Sequence, residues 1–550
     1  MKRTLIVIAV LLLQLLAQAQ HLSERVYVSI DRDVYVAGDE MFCSAFCFDM
    51  SGRGLSSFSS TVYIEISSPE GPVQTAKLAL KDGRGAGVVS LLNTIPTGNY
   101  RMVAYTAQCF NEEGYDFQSG SRLISIINPF TSERASSGVE ILADDAYLEK
   151  ASGEKRTSGT AVKIEVGDAL SLTNTTGKPV SVSLSMFHDD GIHSPSEGDI
   201  ESFQSSVSAG RSFRSVRGID YEGEVVRARV RGLQDSDMQK VVGRSAFLSV
   251  PGRSSSVFSA PVGSDGTVTF HTANIYGDVD VVLEVDAPEL NCHLELEQPF
   301  ASVRSTGTDA LQLCRGLEGA ILQRSAAMQI LKAQRADTLY EYLPVTEDFL
   351  LKDDAVDYVL DDYTRFPLME ELFIEFVKEL HAERTDNGRG LGVYVEDTFK
   401  PSPVTPYGSL VMIDGVPVLD QNRIFSYDPL LVEKISVYPH TYNLGHFYAG
   451  GIVDFVTYKK NLPSYDFPEN ARVISFQGVS YPVASYLPVP SDEVPDLRQT
   501  ILWHPSIDLM PGETRTVDFI KPSYEGDFKV VVEGVDSDGK ALVSRASVKL

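Results

Sequence analysis

The 550-residue sequence is poor in cysteine and in basic residues, and it has no long apolar run after its first nineteen residues. Five cysteines are an odd number, so at least one lies outside any intramolecular disulfide, and the fold does not depend on disulfides. The 48 basic residues are outnumbered by 75 acidic residues, which argues against nucleic acid or anionic lipid as a partner. A transmembrane helix needs about 20 apolar residues. We therefore expect no direct membrane span.

Motifs of the common enzyme classes are missing as well. The sequence has no G-x-S-x-G turn, no H-E-x-x-H motif and no phosphate loop that ends in G-K-S/T. The stretch FHDDGIHS brings together His188, Asp189, Asp190 and His193, residue types that bind Zn or Ca. However, it follows a predicted strand, as a polar loop would. We predict a protein that is not an enzyme and that needs neither a metal nor a cofactor.

The first nineteen residues have the pattern of a secretory signal peptide. Lys2 and Arg3 precede the apolar run TLIVIAVLLLQLL, and Ala17 and Ala19 form a small-x-small cleavage site. The apolar run is too short to span a membrane. The pattern predicts export, with cleavage after Ala19.

Cys43 and Cys47 lie in MFCSAFCFDM, which we predict to be a strand. Four residues of strand span about 13 Å, which is too far for a disulfide between them. Both side chains point to the same face of the strand, so we interpret them as small buried hydrophobic groups. Cys109 is the one candidate partner for either.

Strand patterns dominate the chain, and helical patterns are few. Segments such as RVYVSI, STVYIEI, VSVSLSMF and FKVVVEGV are rich in β-branched and aromatic residues and are bounded by turn residues. Apolar residues recur at helical spacing from Thr308 to Leu331, and FPLMEELFIEFVKEL predicts a second helix with Pro367 in its first turn. The sequence therefore predicts a mainly β fold, with sandwich domains in series and a short helical segment.

Three motifs near the start resemble those of a known family. A Y-x-x-G-(D/E) turn begins at Tyr35, a V-x-I-x-x-P-x-G-type stretch ends at Gly71, and P-x-G-x-Y begins at Pro96. They resemble the macroglobulin-like domain of α2-macroglobulin relatives, and the segment from Leu497 onward, with Trp503, resembles another. Trapping of a protease by such proteins needs a C-G-E-Q thioester run, and no cysteine here lies in one. The resemblance implies macroglobulin-like or immunoglobulin-like sandwiches without that chemistry.

Residues 357–460 resemble a different family, the plug domain of TonB-dependent outer-membrane receptors. The motifs SLVMIDGVPV, DPLLVEKISVYP and LGHFYAGGIVDFVTYK occur in the order of the plug, with Asp414 and Gly415 suited to a tight hairpin turn. Asp454 in the last strand departs from the pattern. A receptor barrel of about 22 strands needs well over 200 residues, and the sequence after Lys460 has a sandwich pattern instead. The resemblance thus implies a small α+β plug-like domain that works as a soluble module.

The candidate partner-binding site is YPHTYNLGHFYAGG, which we predict to be a loop at a sheet end between the strands VEKISV and IVDFVTY. It holds six residues with aromatic rings: Tyr438, His440, Tyr442, His446, Phe447 and Tyr448. Exposed aromatic side chains bury a large area at low entropy cost, so they supply much of the energy at interfaces. The alternative is that most of these rings pack inward against the sheet or a neighbouring sandwich.

Together these patterns predict a division of the chain and a class of function. The predicted segments are a signal peptide (1–19), a macroglobulin-like sandwich (20–130), a second sandwich (131–217), a third, immunoglobulin-like sandwich (218–303), a helical connector (304–356), the plug-like domain (357–462) and a C-terminal macroglobulin-like sandwich (463–550). The predicted function is that of an exported, non-catalytic scaffold or binding protein in the periplasm or at the cell surface. It would associate with the outer membrane and bind a protein component of a transport or secretion complex. The alternative is a cell-surface adhesin or matrix component.

Overall fold

The computed structural model describes residues 23–51, 54–153, 159–195, 198–252, 255–333, 340–343, 355–385, 388–395, 408–486 and 495–550. The predicted signal peptide lies outside these ranges. Strands account for 47% of the structure and helices for 12%, which confirms the mainly β fold class. The described part of the chain divides into two compact units. The first comprises the described residues within 1–221, 300–344 and 479–550, and the second those within 222–299 and 345–478.

Short strands follow one another along most of the described chain. The first eleven are β1 (Glu24–Ile30), β2 (Val34–Val36), β3 (Glu40–Asp49), β4 (Thr61–Ser68), β5 (Gly71–Lys81), β6 (Arg84–Ser90), β7 (Gly98–Tyr105), β8 (Arg122–Ile127), β9 (Val139–Leu142), β10 (Val162–Val166) and β11 (Leu170–Asn174). The next eleven are β12 (Val180–His188), β13 (Val225–Arg231), β14 (Ser245–Val250), β15 (Ser256–Pro261), β16 (Thr267–His271), β17 (Asp278–Val285), β18 (His293–Leu296), β19 (Leu311–Cys314), β20 (Tyr340–Tyr342), β21 (Val356–Val359) and β22 (Leu380–Thr385). The last eleven are β23 (Gly388–Val393), β24 (Leu410–Ile413), β25 (Val416–Pro417), β26 (Val432–Leu444), β27 (Phe447–Thr457), β28 (Arg472–Gln477), β29 (Val483–Tyr486), β30 (Thr500–Leu509), β31 (Thr514–Val517), β32 (Asp527–Asp536) and β33 (Ala541–Lys549).

The described helices are short apart from one of sixteen residues. They are α1 (Asp144–Gly153), α2 (Ile200–Ser206), α3 (Asp235–Met238), α4 (Glu318–Ala333), α5 (Met369–Glu375) and α6 (Asn422–Ser426). Single 3-10 turns occupy Ala107–Asn111, Arg315–Leu317, Leu360–Asp362 and Pro429–Leu431. Within the described part of the chain, we find no helix with the length and apolar character needed to cross a membrane.

The first unit begins with an eight-stranded sheet in the order β1-β3-β6-β5-β4-β7-β8-β2. Alternate residues of β3, including Cys43 and Cys47, enter one hydrophobic core, because successive strand residues face opposite sides of a sheet. This confirms the prediction that both cysteines are buried on one face. All five cysteines are buried free thiols. Cys109 therefore forms a disulfide with neither of them.

A second sandwich of the first unit is built from two distant parts of the chain. Strand β12 lies between β30 and β32, and β11 pairs with β31. Residues 162–186 and 501–542 share one hydrophobic core. The predicted sandwiches 131–217 and 463–550 are thus not independent domains. The alternation of apolar residues indicates where strands occur but not which strand each one pairs with.

The predicted helix from Thr308 to Leu331 begins later than expected. Residues Leu311–Cys314 form β19, which pairs in parallel with β9. The helix α4 starts only at Glu318. Leu311 and Leu313 alternate along a strand, and the same short apolar run also fits helical spacing, so periodicity alone does not separate the two.

The second unit contains a two-sheet sandwich and an α+β module, which have separate sheets. The sandwich has the sheets β16-β13-β18 and β15-β14-β17-β28, whose facing sides enclose one core. Its last strand, β28, comes from residues 472–477. The predicted third sandwich, 218–303, therefore takes one strand from the segment predicted to form the C-terminal sandwich.

The α+β module has a five-stranded sheet in the order β21-β26-β27-β24-β25, with α5 and α6 in its core. Asp414 and Gly415 have φ angles of 48° and 80° and join β24 to β25. Positive φ at both central residues is the geometry of the tight hairpin turn that Asp-Gly favours, so that prediction is confirmed. The helix α5 starts at Met369, two residues after Pro367, and ends at Glu375.

Candidate partner-binding site

The stretch predicted to be an aromatic loop is the end of a long β-hairpin. Strands β26 and β27 continue through it, and only Gly445 and His446 lie between them. Pro439 and His440 of β26 stand opposite Gly451 alone, which is a β-bulge. Proline has no N–H to donate to the ladder, so a bulge is where a strand tolerates it. The sequence prediction ended β26 too early at this interruption.

The pairing register sorts the aromatic residues onto two faces of the hairpin. Tyr442 lies opposite Ala449, and Leu444 lies opposite Phe447. These four residues and Tyr438 belong to a cluster with Phe247 of β14 and Val257 of β15. The Phe247 and Phe447 rings meet edge to face with their centroids 5.4 Å apart. One face of the hairpin is therefore part of the junction between the α+β module and the sandwich.

Ser259 of β15 holds the hairpin turn in place. Its hydroxyl oxygen accepts hydrogen bonds from the backbone N–H of His446 at 3.1 Å and of Phe447 at 2.9 Å, and its O–H donates to the carbonyl of Leu444. Gly445 has a φ of +80°, and a Cβ there would lie 2.6 Å from the carbonyl oxygen of Ser259. Only glycine fits this turn without strain. We call this set of contacts the Ser259 latch.

The other face of the hairpin points to solvent. Tyr448 lies opposite Asn443, and its side chain is 48% exposed. Thr441 and Asn443 are exposed as well, as is His446 at the turn, while His440 is half-buried. Of the six predicted residues, Tyr438 is buried, and Tyr442 and Phe447 are half-buried against the sandwich. Tyr448 thus remains as the residue best placed to meet a partner, because the Nε2 of His446 lies 3.2 Å from the carbonyl oxygen of Gly243.

Sequence reasoning missed the residues of the sandwich that support this hairpin. Phe247 and Ser259 are far from it in the chain, in strands whose local sequence is ordinary for a sandwich. No signal in the local sequence could have identified them, because their role depends on a long-range contact.

A buried carboxyl group lies at the same junction. Glu284 of β17 is 7% exposed. Burial, reinforced by the charge of Asp286, raises the pKa of Glu284 to about 8, although Arg423 opposes the shift. The folded state therefore keeps this proton over a pH range in which an unfolded chain has lost it.

We expect this proton to make the stability of the second unit depend on pH. The pKa of Glu284 is 4.5 when unperturbed and about 8 when folded, so stability falls as pH rises through this window. The variant Glu284→Gln lacks the titration. Its unfolding free energy relative to wild type should increase with pH by up to about 1.4 kcal/mol per pH unit between those values. Urea unfolding at pH 5 and pH 8 measures the difference. Equal differences at the two pH values would contradict the expectation.

The residues of the FHDDGIHS stretch are engaged with other side chains. Asp190 forms an ion pair with Arg324 at 2.6 Å, and Asp189 forms one with Lys529 at 2.9 Å. The His193 ring stacks on Tyr147 with the centroids 6.4 Å apart. Among the described residues, no group of three or more His, Cys, Asp or Glu side chains is arranged to hold a metal ion. Burial lowers the pKa of His188.

Comparison with known proteins gives only weak likenesses. No protein-family model and no curated protein matches the sequence. Similar solved structures include the trypsin-activated α2-macroglobulin of Escherichia coli, with 10% identity and a TM-score of 0.23 over 96% of this chain and 42% of that one. The form activated by porcine elastase has 9% identity and a TM-score of 0.24 over 96% of this chain and 43% of that one. A tetra-tandem repeat from a large adhesion protein has 9% identity and a TM-score of 0.12 over 96% and 98%. This chain spans less than half the length of the two macroglobulins.

Proposed function

We propose that the protein is an exported, non-catalytic scaffold that binds a protein partner at the outer membrane, as an accessory of a transport or secretion complex. The observation that carries the proposal is the geometry of the β26–β27 hairpin. One face of its end is anchored on the sandwich, and the other presents Tyr448 to solvent. The export and the outer-membrane setting rest on the sequence patterns at residues 1–19 and 357–460.

The Ser259 latch supports a binding role because it restricts the conformations of the hairpin turn before a partner binds. Ordering a loop during association costs free energy, so a site that is already rigid binds more tightly for the same contacts. The turn is held by three hydrogen bonds to one serine hydroxyl. A tyrosine on such a support offers a large ring and a hydroxyl at low entropy cost, which is typical of interface hot spots.

We expect the two neighbouring aromatic residues, Phe447 and Tyr448, to respond differently to truncation. Phe447→Ala removes a ring that packs on Phe247, so it should lower the unfolding free energy by about 1–3 kcal/mol. Tyr448→Ala removes an outward ring, so stability should change by no more than about 0.5 kcal/mol, while partner affinity should fall by about 1–2 kcal/mol or more. Chemical denaturation measures the first effect, and a binding titration with the partner identified by crosslinking measures the second.

The partner is identified by placing a photo-crosslinking amino acid at position 448 in the full-length protein, in its own cells. Tyr221 of the first unit, which is 67% exposed, is the matched control position. A protein crosslinked from position 448 and not from 221 supports the proposal. Recovery only of molecules outside the cell would favour the adhesin alternative. If Tyr448→Ala keeps the partner at full affinity, the outward face of the hairpin is not the binding site.

A further inference from the structure

The first unit contains a cavity of about 390 Å³ that the scaffold role does not explain. Ligand sites in proteins usually measure about 300–1,000 Å³. The cavity is bounded by residues 32–34, by residues 187–194 at the end of β12, by α4 and by the strands β32 and β33. These segments are far apart in the sequence and belong to the same compact unit.

The lining combines an apolar surface with a set of basic side chains. The apolar part includes Val34, Phe187, Ile192 and Val531. The basic part consists of Arg32, Arg324, Lys529 and Arg545. Two acidic residues, Asp33 and Asp189, also line the cavity. In the whole chain acidic residues outnumber basic ones, 75 to 48. In the lining, by contrast, the four Lys and Arg residues outnumber the two Asp residues.

The carboxylates that hold the three arginines lie outside the lining. Arg324 is held by Asp190 at 2.6 Å, and Arg545 by Asp199 at 2.9 Å. Arg32 is fixed in the same way by two aspartates, at 2.7 and 2.8 Å. Each ion pair fixes the position of its guanidinium group, and the paired carboxylates are not among the residues that line the cavity.

The two acids that do line the cavity are themselves paired. Asp33 binds Arg122 at 2.7 Å, and Asp189 binds Lys529 at 2.9 Å. An ammonium group carries three N–H donors, and the ion pair with Asp189 uses one of them. Lys529 is therefore the basic group best able to turn a donor toward a bound anion.

We propose that this cavity binds a small organic anion with an apolar body, of the class of the alkyl carboxylates. The carboxylate would accept a charge-assisted hydrogen bond from Lys529. Arg324, whose guanidinium nitrogens already donate to Asp190 and to the carbonyl of Val34, would contribute positive charge at the cavity wall. The alkyl part would replace water along Val34, Phe187 and Ile192, which favours binding through the hydrophobic effect. This inference goes beyond the proposed scaffold function and does not depend on it, because the hairpin belongs to the other unit.

The test is calorimetric titration of the full-length protein with straight-chain carboxylates from butanoate to decanoate. The primary amines of the same chain lengths are the matched probes of opposite charge. We expect saturable binding of at least one carboxylate at one site, with the corresponding amine at least about tenfold weaker. Lys529→Met should weaken carboxylate binding by about tenfold, since it removes a hydrogen bond to a charged group. Lys540→Met, an exposed lysine in the turn between β32 and β33, should leave binding unchanged.

The melting temperature of each free variant shows whether it is folded, and Lys529→Gln replaces Lys529→Met if the latter is not. A bromoalkanoate located by anomalous scattering in crystals gives an independent position for the ligand. The proposal fails if no carboxylate of the series binds, if the amines bind equally well, or if the folded lysine variant binds like wild type. Bromine density outside this cavity would also overturn it.

Discussion

The variant Gly534→Val is expected to destabilise the sandwich of the first unit strongly. Gly534 lies in β32, and a Cβ at this position would stand 2.2 Å from the carbonyl oxygen of Ser181 and 2.6 Å from the Cα of Val182. Both atoms belong to the backbone of β12, which is paired on its other side with β30, so it has little freedom to move away. Overpacking of this kind costs about 1–3 kcal/mol or more. We expect the upper end or beyond, measured as a loss of unfolding free energy in urea.

Gly177→Ala is the matched control, because a Cβ there meets no atom within 4 Å. Its stability should stay within about 0.5 kcal/mol of wild type, as for other surface substitutions. If Gly534→Val were as stable as this control, β32 would not lie against β12. The C-terminal strands would then form a separate domain, as the sequence alone predicts.

The second large effect is expected from Asp31→Ala in the eight-stranded sheet. The Asp31 carboxylate is fully buried and accepts hydrogen bonds from the Tyr35 hydroxyl at 2.8 Å, the Phe42 N–H at 3.0 Å and the Arg32 guanidinium at 2.7 Å. Removing it leaves the Tyr35 hydroxyl and the Phe42 N–H without this acceptor. Arg32 still donates to Asp39 but has less compensating charge. Breaking a buried ion pair from one side costs about 3–5 kcal/mol. The change should lower the melting temperature and the unfolding free energy of the first unit.

Two variants separate this effect from a general loss of acidic charge. Glu133→Ala removes a carboxylate from an exposed position and should change stability by less than about 0.5 kcal/mol. Asp31→Asn keeps the size of the side chain and an acceptor oxygen but loses the charge, so it should fall between Asp31→Ala and wild type. A loss below about 1 kcal/mol for Asp31→Ala would contradict a structural role for this network.

The sequence was sufficient for several features that depend on neighbouring residues. The alternation in β3 predicted that Cys43 and Cys47 share a buried face, and they do, because side chains alternate along any strand. Asp414 and Gly415 predicted their turn, because few residue pairs accept positive φ at both positions. The mainly β class followed from the same local patterns.

Features that depend on distant partners could be decided only by the tertiary structure. The pairing of β12 with β30 and β32 joins parts of the chain more than three hundred residues apart. The local sequence of either part does not indicate which strand it pairs with. The aromatic stretch was recognised, but its division into an inward Phe447 and an outward Tyr448 depends on the sandwich that covers one face of the hairpin. The cavity is assembled from separate segments, so its basic lining has no linear motif. Local sequence indicates where strands and turns lie and which side chains share one face of a strand. Which faces become buried, and which strands pair with each other, depends on contacts made by the whole fold.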